Sequence, residues 1–270
     1  PKIIHSIHGP SFGPFQGWAT NALFRGAERF AGRMTDHFVT VADAMRDQYL
    51  AAGISQADDY TRIPSGFDLQ PFLDAENSHT KRASLGLSPG DFVVGKIARL
   101  FELKGHDDLF AIAPRLAKRI PNIRFLLVGD GVWRGRFERL AKEIGCGQNF
   151  IFTGLVPPSE IPSLVGVMDA LVHLSRREGL PRALPQAMAA AKPVVAFDCD
   201  GAGEVCLDGK TGHLIEPGNL PKLEERLAKL ANDAPLRTAL GQAGRKVVEE
   251  EFTVEQLVER QYELYKRLLA

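Results

Sequence analysis

The sequence lacks the features that mark several classes of protein. Its 33 basic and 33 acidic side chains leave no net charge, which argues against nucleic acid as the main partner, because phosphate binding relies on an excess of lysine and arginine. Only three cysteines are present, Cys146, Cys199 and Cys206, and they form no spaced pair of the kind that builds a zinc site or a disulfide framework. No apolar run approaches the roughly 20 residues that span a bilayer. We therefore expect a cytoplasmic protein.

What the sequence does contain is a repeated strand pattern between residues 90 and 217. Short apolar, β-branched runs occupy 92–97, 124–128, 149–152, 170–174, 193–197 and 212–215. Such runs, bounded by Gly, Pro and Asp and separated by helical segments, are typical of βα units in a parallel sheet buried on both faces. They predict an α/β fold with a doubly wound, Rossmann-like sheet, whose ligands bind at the carboxyl ends of the strands.

The first part of the chain repeats this theme in shorter form. Residues 1–75 hold three strand-like runs, too few for a covered parallel sheet, and the sequence opens at Pro1 as a chain entered in mid-domain would. The polar, turn-rich stretch 70–90 is the best linker candidate. We expect a partial Rossmann-like domain at 1–75, a complete one at 76–250 and a terminal helix at 251–270 that packs back toward the first.

The terminal segment carries the signals of an amphipathic helix. Thr253 and Gln256 have the spacing of a capping box, which predicts the helix start. The apolar residues expected on its packed face are Val254, Leu257, Val258, Tyr265 and Leu268.

Two cations bracket the loop after the run at 92–97. Arg99 and Lys104 lie at the carboxyl end of a predicted strand, and Gly105 then opens a predicted helix. Cations beside a helix N-terminus suit a diphosphate, because arginine donates in bidentate fashion and lysine supplies a compact charge. The residues alone are equally compatible with a solvated pair of surface charges.

A glycine turn follows the next run, at Gly129, Asp130 and Gly131. Its spacing misses the G-x-G-x-x-G dinucleotide fingerprint. A tight turn that lets a ligand approach the backbone and a plain turn both fit the residues.

The densest polar feature follows the fourth run. Glu178 lies in this loop, and residues Gly179 to Pro181 lead into an alanine-rich helix that carries Gln186. Proline suits a first helical turn. The amides of Gly179 and Leu180 are therefore expected at the helix end, where exposed N–H groups bind phosphate.

At these motifs the chain resembles the retaining glycosyltransferases of family four, which adopt the two-domain GT-B fold. The motifs, in the family's order, are Arg99…Lys104-Gly105, Val128-Gly-Asp-Gly131, Phe152-Thr-Gly154, Glu178-Gly-Leu-Pro181 and Pro193-Val-Val195…Asp208-Gly-Lys-Thr-Gly212. The resemblance implies a GT-B-like chain with a complete donor domain and a partial acceptor-side domain. It also implies sugar transfer with retention, without metal or cofactor, from a nucleotide-diphosphate sugar to a hydroxyl acceptor. A UDP-sugar is the expected donor.

The resemblance assigns roles to single residues. It implies that Arg99 and Lys104 hold the donor diphosphate and that Glu178 contacts the donor sugar. The amides at 179–180 would contact the distal phosphate, and Val156 would lie by the nucleobase. The expected donor-binding set is Arg99, Lys104, Gly129, Asp130, Val156, Gly179, Leu180 and Gln186, and the expected catalytic set is Glu178, Arg99, Lys104 and His8.

Two positions depart from the family pattern. Gln186 replaces the second carboxylate of the family's E-x7-E motif, so that ribose recognition loses charge assistance and is expected to be weaker or altered. Ile7-His8-Gly9 looks like a later His-Gly strand end of the family's first domain, which places the missing part of that domain before Pro1. His8 would face the interdomain cleft; the alternative is a satisfied strand-end residue.

Other patterns carry less. Asp198-Cys-Asp200 matches the D-x-D metal motif of the other glycosyltransferase fold, but it follows a strand inside the donor domain, and no metal site is expected. Arg25, Arg29 and Arg33 share a helical face that could contact anionic lipid at the inner face of the membrane, although a solvated face fits the acidic first segment better.

The sequence thus supports a glycosyltransferase of glycan or polysaccharide biosynthesis whose acceptor, a glycan, lipid or small molecule, is unknown. The alternative is a catalytically incomplete nucleotide-sugar-binding module, which Gln186 and the short first segment favour. A third and weaker interpretation is an epimerase of the same fold.

Overall fold

The computed structural model describes all residues from Pro1 to Ala270. The first stretch contains β1 (Ile4–Ile7), α1 (Trp18–Gly32), β2 (His37–Thr40), α2 (Asp43–Ala51), β3 (Tyr60–Arg62), α3 (Gln70–Leu73) and α4 (His79–Ser84). The remainder contains β4 (Phe92–Ile97), α5 (His106–Arg119), β5 (Ile123–Val128), α6 (Arg134–Glu143), β6 (Phe150–Gly154), α7 (Ile161–Gly166), β7 (Ala170–His173), α8 (Ala183–Ala189), β8 (Val194–Phe197), β9 (Gly212–Ile215), α9 (Leu220–Asn232), α10 (Ala234–Glu251) and α11 (Val254–Leu269).

The larger sheet has six parallel strands in the order β6-β5-β4-β7-β8-β9. Val94 of β4 lies in the core on one face of this sheet and Val93 in the core on the other. Burial on both faces explains why the strands read as unbroken apolar runs. The predicted α/β class and doubly wound sheet are confirmed. The strand order reverses between β4 and β7, and a ligand crevice forms outside such a switch point.

The smaller sheet has three parallel strands in the order β1-β2-β3. We call this sheet with α1 and α2 the first unit, and the six-stranded sheet with its helices the second unit. Phe38, Met45 and Tyr49 belong to a compact core between the small sheet and α2. Helix α1 has no buried residue, and its Trp18 is 85% exposed.

The stretch predicted as a linker, 70–90, belongs to the second unit. Phe72 and Leu87 lie in the core of that unit, together with Phe67, which precedes the stretch. Its polar residues make local structure instead of a free connection: the Ser78 hydroxyl accepts from the Lys81 amide and caps α4.

Helix α11 returns to the first unit. The Thr253 hydroxyl accepts from the Gln256 amide and the Gln256 side chain accepts from the Thr253 amide, so the predicted capping box is formed. Leu264 packs with Val39 and Ile63 on the open face of the small sheet. No helix in the structure combines the length and the apolar character needed to cross a membrane.

Candidate active site

A cavity of 370 Å³ opens at the carboxyl ends of β4 and β7, where the two units meet. The second unit contributes Arg99, Lys104, Glu178 and Gly179 to its lining, and the first unit contributes His8. The four predicted catalytic residues therefore line one cavity, although more than 90 positions separate His8 from Arg99. Parallel strands bring their carboxyl ends to one edge, which is why residues so far apart in sequence converge here.

An ion pair forms part of the lining of this cavity. The Lys104 Nζ is 2.5 Å from the Glu178 Oε1, and both side chains are largely buried. His173 Nε2 lies 3.9 Å from the same carboxylate oxygen without a hydrogen bond to any protein group. Burial, together with the charges of two lysines, lowers the pKa of His173 well below its usual range. This ring is therefore neutral, and the cation that pairs directly with the carboxylate is Lys104.

The loop from Arg99 to Gly105 is held in an unusual conformation. Leu103 has a φ of +63° and Gly105 a φ of +64°. The Leu103 carbonyl accepts from the Arg176 amide at 2.8 Å and from the Ser175 hydroxyl at 3.2 Å. These bonds join the loop after β4 to the loop after β7. Non-glycine residues in the left-handed region persist only where surrounding contacts impose it, and they cluster at functional sites.

Gly105 is required by close packing as well as by its φ. A β-carbon at this position would lie 1.9 Å from the Leu174 carbonyl oxygen. Gly105 is also the N-cap of α5, so its position fixes where the preceding Lys104 enters the cavity.

His106, the first residue of α5, anchors the other end of this loop. Its Nε2 donates to the Arg99 carbonyl at 3.0 Å, because a carbonyl oxygen can only accept. The Nδ1 is buried without a partner. Burial is the main reason that the pKa of His106 falls to about 3. The neutral, buried imidazole of His106 therefore holds the backbone of Arg99 in place. The Arg99 side chain itself is exposed.

Two basic residues near the site were missed by the sequence analysis. Arg177 Nη2 donates to the Pro10 carbonyl at 2.7 Å, and its guanidinium lies 3.7 Å from the Phe15 ring centroid, so this side chain joins the two units. Lys96 is fully buried on β4, and burial lowers its pKa to about 7. The available signals were a second arginine directly before Glu178 and a lysine within an otherwise apolar run.

The backbone at residues 179–181, which contacts the first unit, does not form the predicted helix start. Helix α8 begins at Ala183 instead of at Pro181, because residues 179–181 continue the loop. Gly179 is buried against the His8 carbonyl, where a β-carbon would come within 2.0 Å of that oxygen. The amides of Gly179 and Leu180 donate to no protein acceptor and form no helix end; Gly179 lines the cavity, whereas Leu180 does not.

The remaining predicted donor-binding residues do not line this cavity. Gly129 packs against the Ala98 carbonyl, which a β-carbon would approach to 2.4 Å. Asp130 accepts from the Gly131 amide at 2.7 Å and from Arg134 at 3.3 Å, a local turn that begins α6. Val156 is half-buried and packs against the core that contains Phe72 and Leu87.

The Gln186 side chain is half-buried on α8 and makes no hydrogen bond with the protein. No hydrogen bond within the protein therefore fixes the orientation of its amide group.

The Asp198-Cys-Asp200 motif performs a structural task. Asp200 has a φ of +50°, and its Oδ2 accepts from the Glu178 amide at 2.7 Å. Burial is the largest cause of the raised pKa of Asp200. The structure contains no group of three or more His, Cys, Asp or Glu side chains placed to hold a metal ion.

Comparison with known proteins assigns this architecture to a family. Residues 77–247 match the family model described as glycosyl transferases group 1. The chain belongs to the glycosyl transferases group 1 family. The predicted family is thereby confirmed, and the matched range spans every residue of the cavity that the second unit supplies.

Relatives of the group 1 family cover nearly all of this chain. It is 30% identical over 255 residues to the GDP-mannose-dependent alpha-(1-6)-phosphatidylinositol monomannoside mannosyltransferase of Mycolicibacterium smegmatis, a match that covers 90% of this chain and 64% of that protein. It is 29% identical over 268 residues to the GDP-mannose-dependent monoacylated alpha-(1-6)-phosphatidylinositol monomannoside mannosyltransferase of Corynebacterium glutamicum, and the match covers 96% of this chain and 68% of that protein. The chain thus spans about two thirds of the length of these relatives.

Solved structures show the same fold. The crystal structure of HepE from Anabaena in complex with UDP superimposes with a TM-score of 0.86 at 24% identity, covering 98% of this chain and 72% of that chain. The structural neighbours are GT-B glycosyltransferases, which confirms the predicted GT-B fold for this group 1 chain.

Proposed function

We propose that the cavity between the two units is the donor site of a glycosyltransferase that takes a sugar from a nucleotide-diphosphate sugar. The observation that carries this proposal is the Lys104–Glu178 pair at the switch point of the sheet, with Arg99 beside it and two unpaired amides beneath it. Membership of the group 1 family supports the same chemistry. Arg99 and Lys104 bind the diphosphate, and Glu178 positions the sugar.

The charge that develops on the leaving diphosphate is stabilised by fixed donors. Arg99, Lys104 and the amides at 179–180 supply positive charge and N–H groups in a site partly screened from water, where such interactions are stronger than in bulk solvent. The same donors support transfer without a metal. Retention follows the resemblance to family four: the acceptor hydroxyl attacks the face from which the diphosphate departs.

The acceptor side is assigned to the first unit. His8 is exposed, lines the same cavity as Glu178, and is the titratable residue that the first unit contributes to the lining. An imidazole there can orient an acceptor hydroxyl or the donor sugar. The acceptor is a glycan, lipid or small molecule with a free hydroxyl, and glycan or polysaccharide biosynthesis is the process that fits the relatives. A lipid acceptor would bring the chain to the inner membrane surface.

The donor is proposed to be a UDP-sugar, although a GDP-mannose-dependent relative makes GDP the necessary comparison. Gln186 stands where relatives of family four carry a carboxylate, so the ribose contact is expected to be weak. This substitution also favours the second candidate function, a nucleotide-sugar-binding module without transfer. A transfer or donor-hydrolysis assay on the purified chain separates the two candidates.

Calorimetric titration with UDP, GDP and ADP tests the donor site. We expect Arg99→Ala and Lys104→Ala each to weaken nucleotide binding about 10- to 100-fold, the loss of a charge-assisted hydrogen bond. Arg115→Ala is the matched control, because Arg115 pairs with Glu224 on the surface outside the cavity. Binding of none of the three nucleotides to the unmodified chain, or equal losses in Arg99→Ala and Arg115→Ala, would refute the donor site.

Glu178→Gln separates the sugar contact from the phosphate contact. The substitution removes the carboxylate that pairs with Lys104, so UDP binding is expected to be retained or strengthened while sugar transfer is lost.

A further inference from the structure

A carboxylate of the second unit caps a helix of the first. Glu204 Oε2 accepts from the Asp43 amide and Oε1 from the Ala44 amide, both at 2.9 Å. These amides begin α2, and the residue before them, Ala42, has no side chain that could cap the helix. Because the first amides of a helix have no intrahelical acceptor and carry partial positive charge, a bidentate carboxylate binds them favourably.

The same carboxylate holds a cation of the first unit. Arg62 Nε donates to Glu204 Oε2 at 2.9 Å, and the Glu204 side chain is 21% exposed. The Arg62 guanidinium also lies 4.0 Å from Glu251, at the end of α10. Three charge-assisted contacts therefore converge on one Glu204 side chain, all of them from the first unit.

Glu204 lies on the segment that supports the donor loop. The helical turn Asp200–Glu204 holds the Glu178 amide through Asp200 and the Gly179 carbonyl through the Gly201 amide, at 2.7 Å and 3.0 Å. On its other side Gly201 meets the first unit, since a β-carbon there would be 2.7 Å from the Ala42 β-carbon. The segment Asp200–Glu204 thus contacts both α2 and the loop that carries Glu178.

We propose that Glu204 is a positioning residue that fixes the first unit on the second, so that His8 lines the same cavity as Glu178. This inference rests on the proposed function. It adds to it the residue that sets how the first and second units are placed around the cavity. Glu204 does not line the cavity. It acts through α2, which packs on the sheet whose first strand ends at Ile7, directly before His8.

The variants separate donor binding from interdomain geometry. The donor contacts Arg99, Lys104 and Glu178 all belong to the second unit, so Glu204→Ala and Glu204→Gln should leave the nucleotide Kd within about twofold of the unmodified chain. The kcat of transfer or donor hydrolysis should fall at least about tenfold, the cost of losing a charged cap. Glu204→Asp should recover part of the rate, and Glu249→Ala, an exposed carboxylate paired with Arg245, is the matched control.

Hydrogen exchange supplies a readout that does not depend on turnover. In Glu204→Gln the amides of Asp43, Ala44 and Glu178, which donate to Glu204 and Asp200, should exchange faster, while exchange in the core of the second unit stays unchanged. Unaltered exchange at these amides, an unaltered kcat, or a Kd that weakens as much as kcat falls would each overturn the proposal. Failure of the unmodified chain to bind any nucleotide would instead refute the proposed donor site, and exchange at α2 would still decide whether Glu204 joins the units.

Discussion

At the residue scale, the site depends on positions where the backbone leaves no room for a side chain. Arg99, Lys104, Glu178 and His8 were predicted from sequence, and the structure places all four on one cavity. Their arrangement is fixed by neighbours with less obvious chemistry. Gly105 sets the position of Lys104 because a β-carbon at this position would lie 1.9 Å from the Leu174 carbonyl oxygen, and no sequence pattern records that lack of space.

Substitution of Gly105 tests this packing. Gly86 has nearly the same φ, +69° against +64°, but open space where a β-carbon would be. Gly86→Ala should cost about 1 kcal/mol of unfolding free energy from backbone strain alone. Gly105→Ala should cost a further ~1–3 kcal/mol from the clash with the Leu174 carbonyl, and should weaken nucleotide binding through Lys104.

Urea denaturation and calorimetry measure the two effects. Equal free energies of unfolding for the two variants would contradict a close contact at Gly105.

At the element scale, the terminal helix shows what periodicity can and cannot decide. Its start and capping box were predicted correctly. The predicted packed face was only partly correct: Leu257 and Leu268 pack on the first unit, whereas Val254, Val258 and Tyr265 are exposed and Leu264 is the buried residue. The helix carries two apolar stripes, and a single-sequence pattern does not show which stripe has a surface to cover.

Paired alanine substitutions on α11 distinguish the two stripes. Leu264 is 3% exposed and Val258 is 56% exposed. Leu264→Ala should lower the free energy of unfolding by about 2–5 kcal/mol, because it leaves a cavity beneath the helix. Val258→Ala should change it by no more than about 0.5 kcal/mol.

Thermal or urea unfolding of both variants provides the measurement. A Val258→Ala loss as large as that of Leu264→Ala would mean that the other stripe is covered in solution.

At the scale of the whole molecule, both units bury neutral histidines. Burial is the largest cause of the lowered pKa of His37, His106, His173 and His213. His37 belongs to the first unit and the others to the second, so a fall in pH is expected to destabilise both units. A histidine whose pKa is lower in the folded state binds more protons when unfolded, and this favours unfolding as the pH falls.

The free energy of unfolding should therefore decrease as the pH falls from about 6.5, where unfolded histidine takes up its proton. For His106 the decrease continues toward its folded pKa of about 3. His106→Gln should flatten this dependence, whereas His79→Gln, at an exposed position, should not. Urea unfolding between pH 8 and pH 4 measures the slope, and parallel slopes for the two variants would contradict a neutral buried His106.

The sequence alone determined the strands of the larger sheet, the terminal helix and the identity of four charged or titratable residues of the cavity, Arg99, Lys104, Glu178 and His8. Strand runs, helix starts and the ordered motifs at Arg99, Lys104 and Glu178 are local properties, set by side-chain periodicity and capping over a few residues. For the same reason the α/β class and the family followed from the sequence.

Only the tertiary structure decided which of these residues meet. The approach of His8 to Gly179, the arginine bridge from Arg177, the burial of Lys96 and the capping of α2 by Glu204 join positions distant in the chain. Such contacts arise from the tertiary packing of helices and loops that are distant in the chain, which local patterns do not encode because the fold decides which side chains become partners.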